Sequence, residues 1–192
     1  IGTLHPTAAI GKVAKERGVI FHCDATQSIG KEPVDVEAMG IDLLSLSGHK
    51  IYGPKGVGAL YARKHTPRVR LAAQIHGGGH EKGYRSGTLN VTGIVGLGAA
   101  AAICQGEMDT ERPRLLALRS RLETGMHEAI DCVSLNGHAT ERLMNTANLT
   151  FEYIEGESLM MKTSDIAVSA GSACTSEQLQ SSYVLKALGV PD

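Results

Sequence analysis

The sequence predicts an α/β protein in which a mainly parallel sheet, covered by helices, is followed by a smaller α+β unit. Three observations carry that expectation. Short continuous apolar runs alternate with helical stretches through the first hundred residues, the pattern of strands buried on both faces. Gly and Pro mark the junctions between them. A long helical stretch, Glu107 to Ile130, then leads into three further short strand-like runs, which divides the chain into residues 1–106 and 107–192.

From Pro6 to Arg17, Ala8, Ile10, Val13 and Ala14 suit an amphipathic helix, with Pro in its first turn and Gly18 as the residue just past its end. Val19 to Cys23 reads as a buried strand that delivers Asp24 at its carboxyl end. A loop through Gly30 and Pro33 follows, and Val36 to Met39 predicts one helical turn. The second strand, Ile41 to Leu46, closes on Ser47-Gly48-His49-Lys50, and the Gly53-Pro54 turn leads into a third, Val57 to Ala62. Beyond a glycine-rich polar run from Gly77 to Gly87, Val91 to Ile103 predicts a small-residue helix. Leu115, Leu118, Leu122, Met126 and Ile130 then define a hinge helix. In the second unit the expected strands are Cys132 to Leu135, Ala147 to Phe151 and Ile166 to Val168, with a helix over Glu157 to Lys162. There is no internal repeat and no low-complexity segment.

At 192 residues the chain can form one domain with a full core, or a domain and part of a second. It opens on Ile1-Gly2-Thr3 without an initiator methionine and stops at Val190-Pro191-Asp192 after a helical pattern, so both ends read as cut. Lys plus Arg (19) nearly balances Asp plus Glu (20), which gives no reason to expect nucleic acid or an acidic membrane as partner. The basic cluster Arg63 to Arg70 reads as a solvated turn. No signal peptide is evident, and the longest apolar stretch, Ile94 to Ile103, is half the ~20 residues a membrane span needs. The expectation is a soluble protein without membrane contact. Four cysteines without CxxC spacing point to a reducing, cytoplasmic setting. Cys104 and Cys132, inside apolar patterns, read as small buried hydrophobes, and Cys23 precedes Asp24 and points to the other face of its strand.

Lys50 lies just past the end of a buried strand, where open α/β sheets hold ligands. A lysine placed there can lose its proton and form a Schiff base. If its strand and that of Asp24 are parallel neighbours, both residues reach the same edge of the sheet. Pyridoxal phosphate needs that pair: an amine for its aldehyde and an acid that keeps its ring nitrogen protonated. Gln27 can then hydrogen-bond the phenolic oxygen, while Ser47 and His49 flank the lysine as phosphate or orienting donors. An Asp at a strand end can equally be a turn or cap residue; the nearby Ser-Gly-His-Lys run favours the cofactor role. His76 and His80, four apart on a glycine-interrupted loop, share no helical face and have no evident third ligand, so no metal is expected. Gly96-Leu97-Gly98 lacks the preceding strand and later acid of a dinucleotide fingerprint.

His22-Cys23-Asp24-Ala25-Thr26-Gln27, Ser47 to Gly58, Arg85-Ser86-Gly87-Thr88 and Ser169-Ala170-Gly171-Ser172-Ala173-Cys174-Thr175-Ser176 resemble, from end to end, the cysteine desulfurases of the iron–sulfur-cluster and nitrogen-fixation type. That resemblance implies part of a fold-type I pyridoxal-phosphate domain over residues 1–106, then a hinge helix and part of a small domain. It implies removal of sulfur from L-cysteine, with release of L-alanine and a persulfide left on the protein. Lys50 would be the Schiff-base lysine, Asp24 the ring-nitrogen partner, Gln27 the phenolic-oxygen contact, and Ser47 and His49 phosphate ligands. Thr88 matches a residue lent to the neighbouring subunit's phosphate site, so a homodimer is implied, and Cys174 matches the sulfur-accepting nucleophile. Cys174 would hand sulfur to an iron–sulfur scaffold or another acceptor protein and could be a transient iron–sulfur ligand.

The small residues around Cys174 fit a loop that carries a thiol between a buried cofactor and a surface acceptor. Freed Lys50 is the natural carrier of the substrate's α-proton, and the Cys174 thiolate attacks the substrate sulfur. The family's upstream glycine-threonine phosphate motif, stacking histidine and asparagine, and its downstream carboxylate-binding arginine, have no counterpart here. Two alternatives follow: a selenocysteine lyase, and a catalytically silent fragment that acts in structure or scaffold binding.

Overall fold

The computed structural model describes residues 1–170 and 182–190. The chain divides into two compact units, one formed by His5–Pro113 and the other by Ile1–Leu4 with Arg114–Asp192.

The first unit opens with helix α1, Thr7–Glu16. Gly18 takes a left-handed conformation (φ +63°) and its amide returns to the Lys15 carbonyl at 3.1 Å, the ending that the Gly forecast. Gly11 is buried within the helix because a Cβ there would lie 2.0 Å from the Met39 carbonyl oxygen; only glycine lets α1 approach the following turn so closely. Ile10 and Val13 of α1 remain exposed.

Strands β1 (His22–Asp24), β2 (Leu43–Ser47) and β3 (Gly58–Ala62) form a sheet in that order. β1 and β2 run parallel, with Cys23 opposite Leu44 and Asp24 opposite Ser45, so both carboxyl ends reach one edge. β3 instead pairs antiparallel to β2, from Leu43 opposite Ala62 to Ser47 opposite Gly58. Residues 48–57 reverse the chain directly and contain no helical crossover of the kind that parallel pairing requires. The sheet is therefore mixed. Its core is Ala25, Ile41 and Leu44, packed by Phe21, Cys23, Val34, Val36, Met39, Leu46 and Tyr61. The segment from Val36 to Gly40 forms a turn, closed by Ile41 N donating to the Val36 carbonyl at 2.9 Å.

Arg63 departs from its expected solvated setting. It is 8% exposed and ion-paired to Asp42 (2.9 Å) and Glu37, while its Nη2 donates to the carbonyls of Val36 (3.0 Å) and Ile41 (2.9 Å). The other oxygen of Asp42 accepts from the Phe21 amide. Buried charge is tolerable here because each ion has several partners.

Helix α2, Val91–Ala129, is continuous where the sequence predicted two helices. Gly106 costs helix stability but does not end it, because it is flanked by good helix formers on both sides. Pro113, inside α2, lacks the amide for one helical hydrogen bond, and the boundary between the units falls directly after it. Joining the two segments also makes α2 long and apolar enough to cross a membrane by length and composition alone.

In the second unit β4 (Val133–Leu135) pairs antiparallel with β5 (Leu149–Phe151), followed by α3 (Gly156–Lys162) and α4 (Tyr183–Ala187). Ile166 to Val168 is not a strand. Both residues are exposed and, among the described residues, no strand lies beside them to pair with. Arg142 anchors this unit: its side chain is 2% exposed and grips Glu123 at 2.6 and 2.9 Å, while Arg119 Nη1 donates to the Leu143 carbonyl at 2.6 Å.

Candidate functional site

The parallel register of β1 and β2 builds the site. Asp24 ends β1, and Ser47 ends β2 two residues beyond the partner of Asp24. The Ala25 amide donates to the Ser45 carbonyl at 3.0 Å, which carries the pairing one residue past β1 and fixes where the Asp24 loop starts.

Asp24 is exposed, and its Oδ1 accepts the Thr26 amide at 2.9 Å, an Asx-type turn that orients the carboxylate. Hydrogen bonding by the Thr26 side chain, and then by its amide, holds the Asp24 carboxyl below the usual carboxylate range. It is therefore an anion at neutral pH. The neighbouring Cys23 faces the core, where burial and then the Asp24 charge push its thiol up, which favours the protonated form. Gln27 follows on the same loop, with its side chain exposed.

Past β2 the chain makes a short 3-10 helix, Gly48–Ile51, which carries His49 and Lys50. The Gly53 amide and the Gly48 amide close this turn on the Gly48 and Val57 carbonyls, each at 2.9 Å. Gly48 is closely packed: a Cβ there would sit 3.1 Å from both the Pro54 carbonyl oxygen and Val57 Cγ1, so these neighbours would have to give by a few tenths of an ångström. Ser47 Oγ and His49 Nδ1 are 2.9 Å apart, and this hydrogen bond leaves the other ring nitrogen for an outside partner. Lys50 is half-buried, and its carbonyl accepts Lys31 Nζ at 2.9 Å.

Thr88 sits on a different segment, the exposed loop before α2, where Arg85 Nη1 donates to the carbonyls of Gly87 (2.9 Å) and Thr88 (3.3 Å). Cys174 lies outside the described residues. Cys104 and Cys132 are half-buried free thiols, less enclosed than expected, with Cys104 Sγ 3.9 Å from the Ile51 carbonyl. Among the described residues no cluster of three or more His, Cys, Asp or Glu is placed to hold a metal ion.

Asp24, Gln27, Ser47, His49 and Lys50 thus come from two adjacent loops at one sheet edge. An anion for a protonated ring nitrogen, a hydroxyl–imidazole pair for a phosphate and a lysine for an aldehyde are the donor types that pyridoxal phosphate requires, so the residues present fit that group. Lys31 was not singled out by sequence reasoning. Its one signal was position, since it follows Gly30 and lies four residues from Gln27, where a helical turn returns its amine to the Gln27 carbonyl.

Comparison with known proteins extends this picture. The family model described as aminotransferase class-V matches residues 1–188. "Cysteine desulfurase IscS" of Anaeromyxobacter dehalogenans is 58% identical over 191 residues, covering 100% of this chain and 47% of the relative. The protein of the same name from Shewanella baltica is 56% identical over 192 residues, with the same coverage. Among solved structures, the NifS-like protein from Rickettsia africae superimposes with a TM-score of 0.87 at 31% identity, over 100% of this chain and 50% of that one. DndA from Streptomyces lividans gives 0.80 at 34% identity, over 99% and 54%. The chain spans about half the length of the curated relatives it matches.

Proposed function

Because the chain belongs to the class-V aminotransferase family, we propose that it supplies the lysine half of a pyridoxal-phosphate site in a cysteine desulfurase, which converts L-cysteine to L-alanine and passes the sulfur on as a persulfide. The observation that carries this reading is the register that brings ionised Asp24 and the Lys50 turn to one edge of the sheet.

Each residue has a task in that reaction. Lys50 Nζ would hold the cofactor through its aldehyde and would carry the proton from the substrate's α-carbon. Asp24 keeps the ring nitrogen protonated by charge; neutral Asn in its place could not. Gln27 would donate to the phenolic oxygen, and Ser47 with His49, already hydrogen-bonded to each other, would bind the phosphate through the hydroxyl and imidazole. When bound, pyridoxal phosphate supplies an electron sink beside the α-carbon. Cys174 contributes a thiolate that attacks the substrate's sulfur: a sulfur–sulfur bond forms, the carbon–sulfur bond breaks, and its electron pair stays with the carbon fragment, which takes up protons to become alanine.

Thr88 is assigned to the phosphate site of a second subunit, so the working form is a homodimer, and the sulfur acceptor is an iron–sulfur scaffold or similar protein. A soluble, cytoplasmic enzyme accords with the described cysteines, which are all free thiols.

The test is to add pyridoxal phosphate, reduce one sample with borohydride and map the modified peptides, and on a second, unreduced sample with a thiol reductant present to assay alanine and sulfide release from L-cysteine. The cofactor is expected on Lys50, with release of alanine and sulfide lost on Lys50→Ala or Cys174→Ser. Modification spread evenly over surface lysines would reject the assignment. Turnover of selenocysteine but not cysteine would redirect it to a lyase.

A further inference from the structure

The Asp24–Gln27 loop and the Lys50 turn belong to strands that pair over only three residues, yet the proposed chemistry needs the two loops at a fixed separation. Lys31 spans them. It is 8% exposed, and its Nζ donates to the Gln27 carbonyl at 3.2 Å and to the Lys50 carbonyl at 2.9 Å. Its own position is fixed as well, because the Lys31 amide donates to Ser28 at 3.0 Å. Gly30 beside it is packed so tightly that a Cβ would lie 2.8 Å from Ile51 Cγ2 and 3.0 Å from Cys104 Sγ.

We propose that Lys31 is a positioning residue for the cofactor site: its buried ammonium ties the backbone of the Gln27 loop to the backbone of the Lys50 turn and so sets the spacing of the groups they carry.

The chemistry of the contact supports this. A buried ammonium is costly unless its protons are taken up, and backbone carbonyls, which cannot rotate away, make a more rigid anchor than side chains would. Burial pushes the Lys31 amine below the ordinary lysine range; Cys104 opposes that shift and Lys50 adds to it. The fold therefore retains an expensive group at the junction of the two loops. A lysine kept only for solubility would be exposed. Neither Gln27 nor Lys50 contributes a side chain to the tether, which leaves both free for the cofactor.

The role rests on the cofactor reading above, and the experiment separates the two. Backbone amide exchange of the cofactor-free 192-residue chain is compared among wild type, Lys31→Met and Lys31→Arg. Lys31→Met should speed exchange of the Tyr52 and Gly53 amides at least about tenfold, the factor that ~1.4 kcal/mol gives, while β2 and β3 amides stay within about twofold. Lys31→Arg, which keeps a charge and several donors, should restore most of the protection. In parallel, the share of borohydride-trapped cofactor found on Lys50 should drop severalfold in Lys31→Met and recover in Lys31→Arg. Unchanged exchange at Tyr52 and Gly53, or faster exchange spread evenly over the whole unit, overturns the tether. Loosened amides with undiminished trapping at Lys50 overturn its positioning role. Wild-type chain that takes no cofactor on Lys50 overturns the cofactor reading instead, and the exchange data still decide the tether. If Lys31→Met does not fold, Lys31→Gln, shorter and uncharged, is judged by the same criteria.

Discussion

Replacing Gly53 by Ala tests the turn that presents Lys50. The Gly53 amide reaches the Gly48 carbonyl at 2.9 Å, and a Cβ on Gly53 would lie 2.9 Å from that same oxygen and 3.2 Å from Ala100 Cβ. The first obstacle is backbone, so the methyl must open the turn or shift it from α2. Overpacking of this size costs ~1–3 kcal/mol, and a stretched turn hydrogen bond about 1 kcal/mol more. A restricted unfolded chain returns ~0.4–1 kcal/mol, so the net expectation is a loss of roughly 2 kcal/mol. Gly98→Ala is the matched control. It lies in α2 with nothing within 4 Å of a Cβ, and should stabilise by about 0.5–1 kcal/mol from helix propensity. Urea unfolding, with amide exchange at Tyr52 and Gly53, measures both. The reasoning fails if Gly53→Ala unfolds at or above the wild-type urea midpoint, or if those amides keep their protection.

In the second unit, Arg142→Met removes the hydrogen-bonded partner of the buried Glu123 carboxylate and leaves it only Arg119 Nε at 3.6 Å, so it should cost ~3 kcal/mol in denaturant unfolding. The Glu123→Leu/Arg142→Met double variant should lose less than that single change; an equal or larger loss would show that the charge is not what matters. The Arg142 hydrogen bond holds the Glu123 carboxyl below the ordinary glutamate range. Its stabilising share is therefore full above the unfolded value of about 4.3 and disappears as pH falls through the lower folded value. Unfolding curves at descending acid pH should fall more steeply for wild type than for Glu123→Gln, and parallel curves would contradict the assignment. Gly11→Ala should destabilise more than Gly53→Ala, since its Cβ would meet Met39 O at 2.0 Å, and differential scanning calorimetry would rank the two.

Much of this site could be read from sequence because its signals are local. Asp24 and Lys50 follow apolar runs directly, so strand ends alone put them at an edge, and their common edge needed only parallel pairing. What escaped was long-range. Arg63 sits in a basic run that looks solvated, and only the fold shows Asp42 and Glu37 across from it. Lys31 looks like any loop lysine until the Lys50 carbonyl, 19 residues away, is brought to it. The direction of β3 was determined by the shortness of residues 48–57, a geometric limit that apolar patterning does not encode. The break expected between Ile103 and Glu107 is absent in α2, because the lone glycine there, Gly106, weakens a helix without ending it.

The two loops of the site also differ in how the chain must close them during folding. Residues 48–57 are closed by the antiparallel β2–β3 pair, a local event, whereas residues 25–42 are closed only when β1 docks in parallel on β2. Longer, parallel closures come later because their entropy is spent before any contact rewards it. In pulsed hydrogen exchange the Gly53 amide is therefore expected to be protected before the Ala25 amide, and the reverse order would refute this. The chain then assembles its site backwards relative to synthesis: the lysine turn forms first, and the carboxylate that precedes it in sequence is added to a turn already in place.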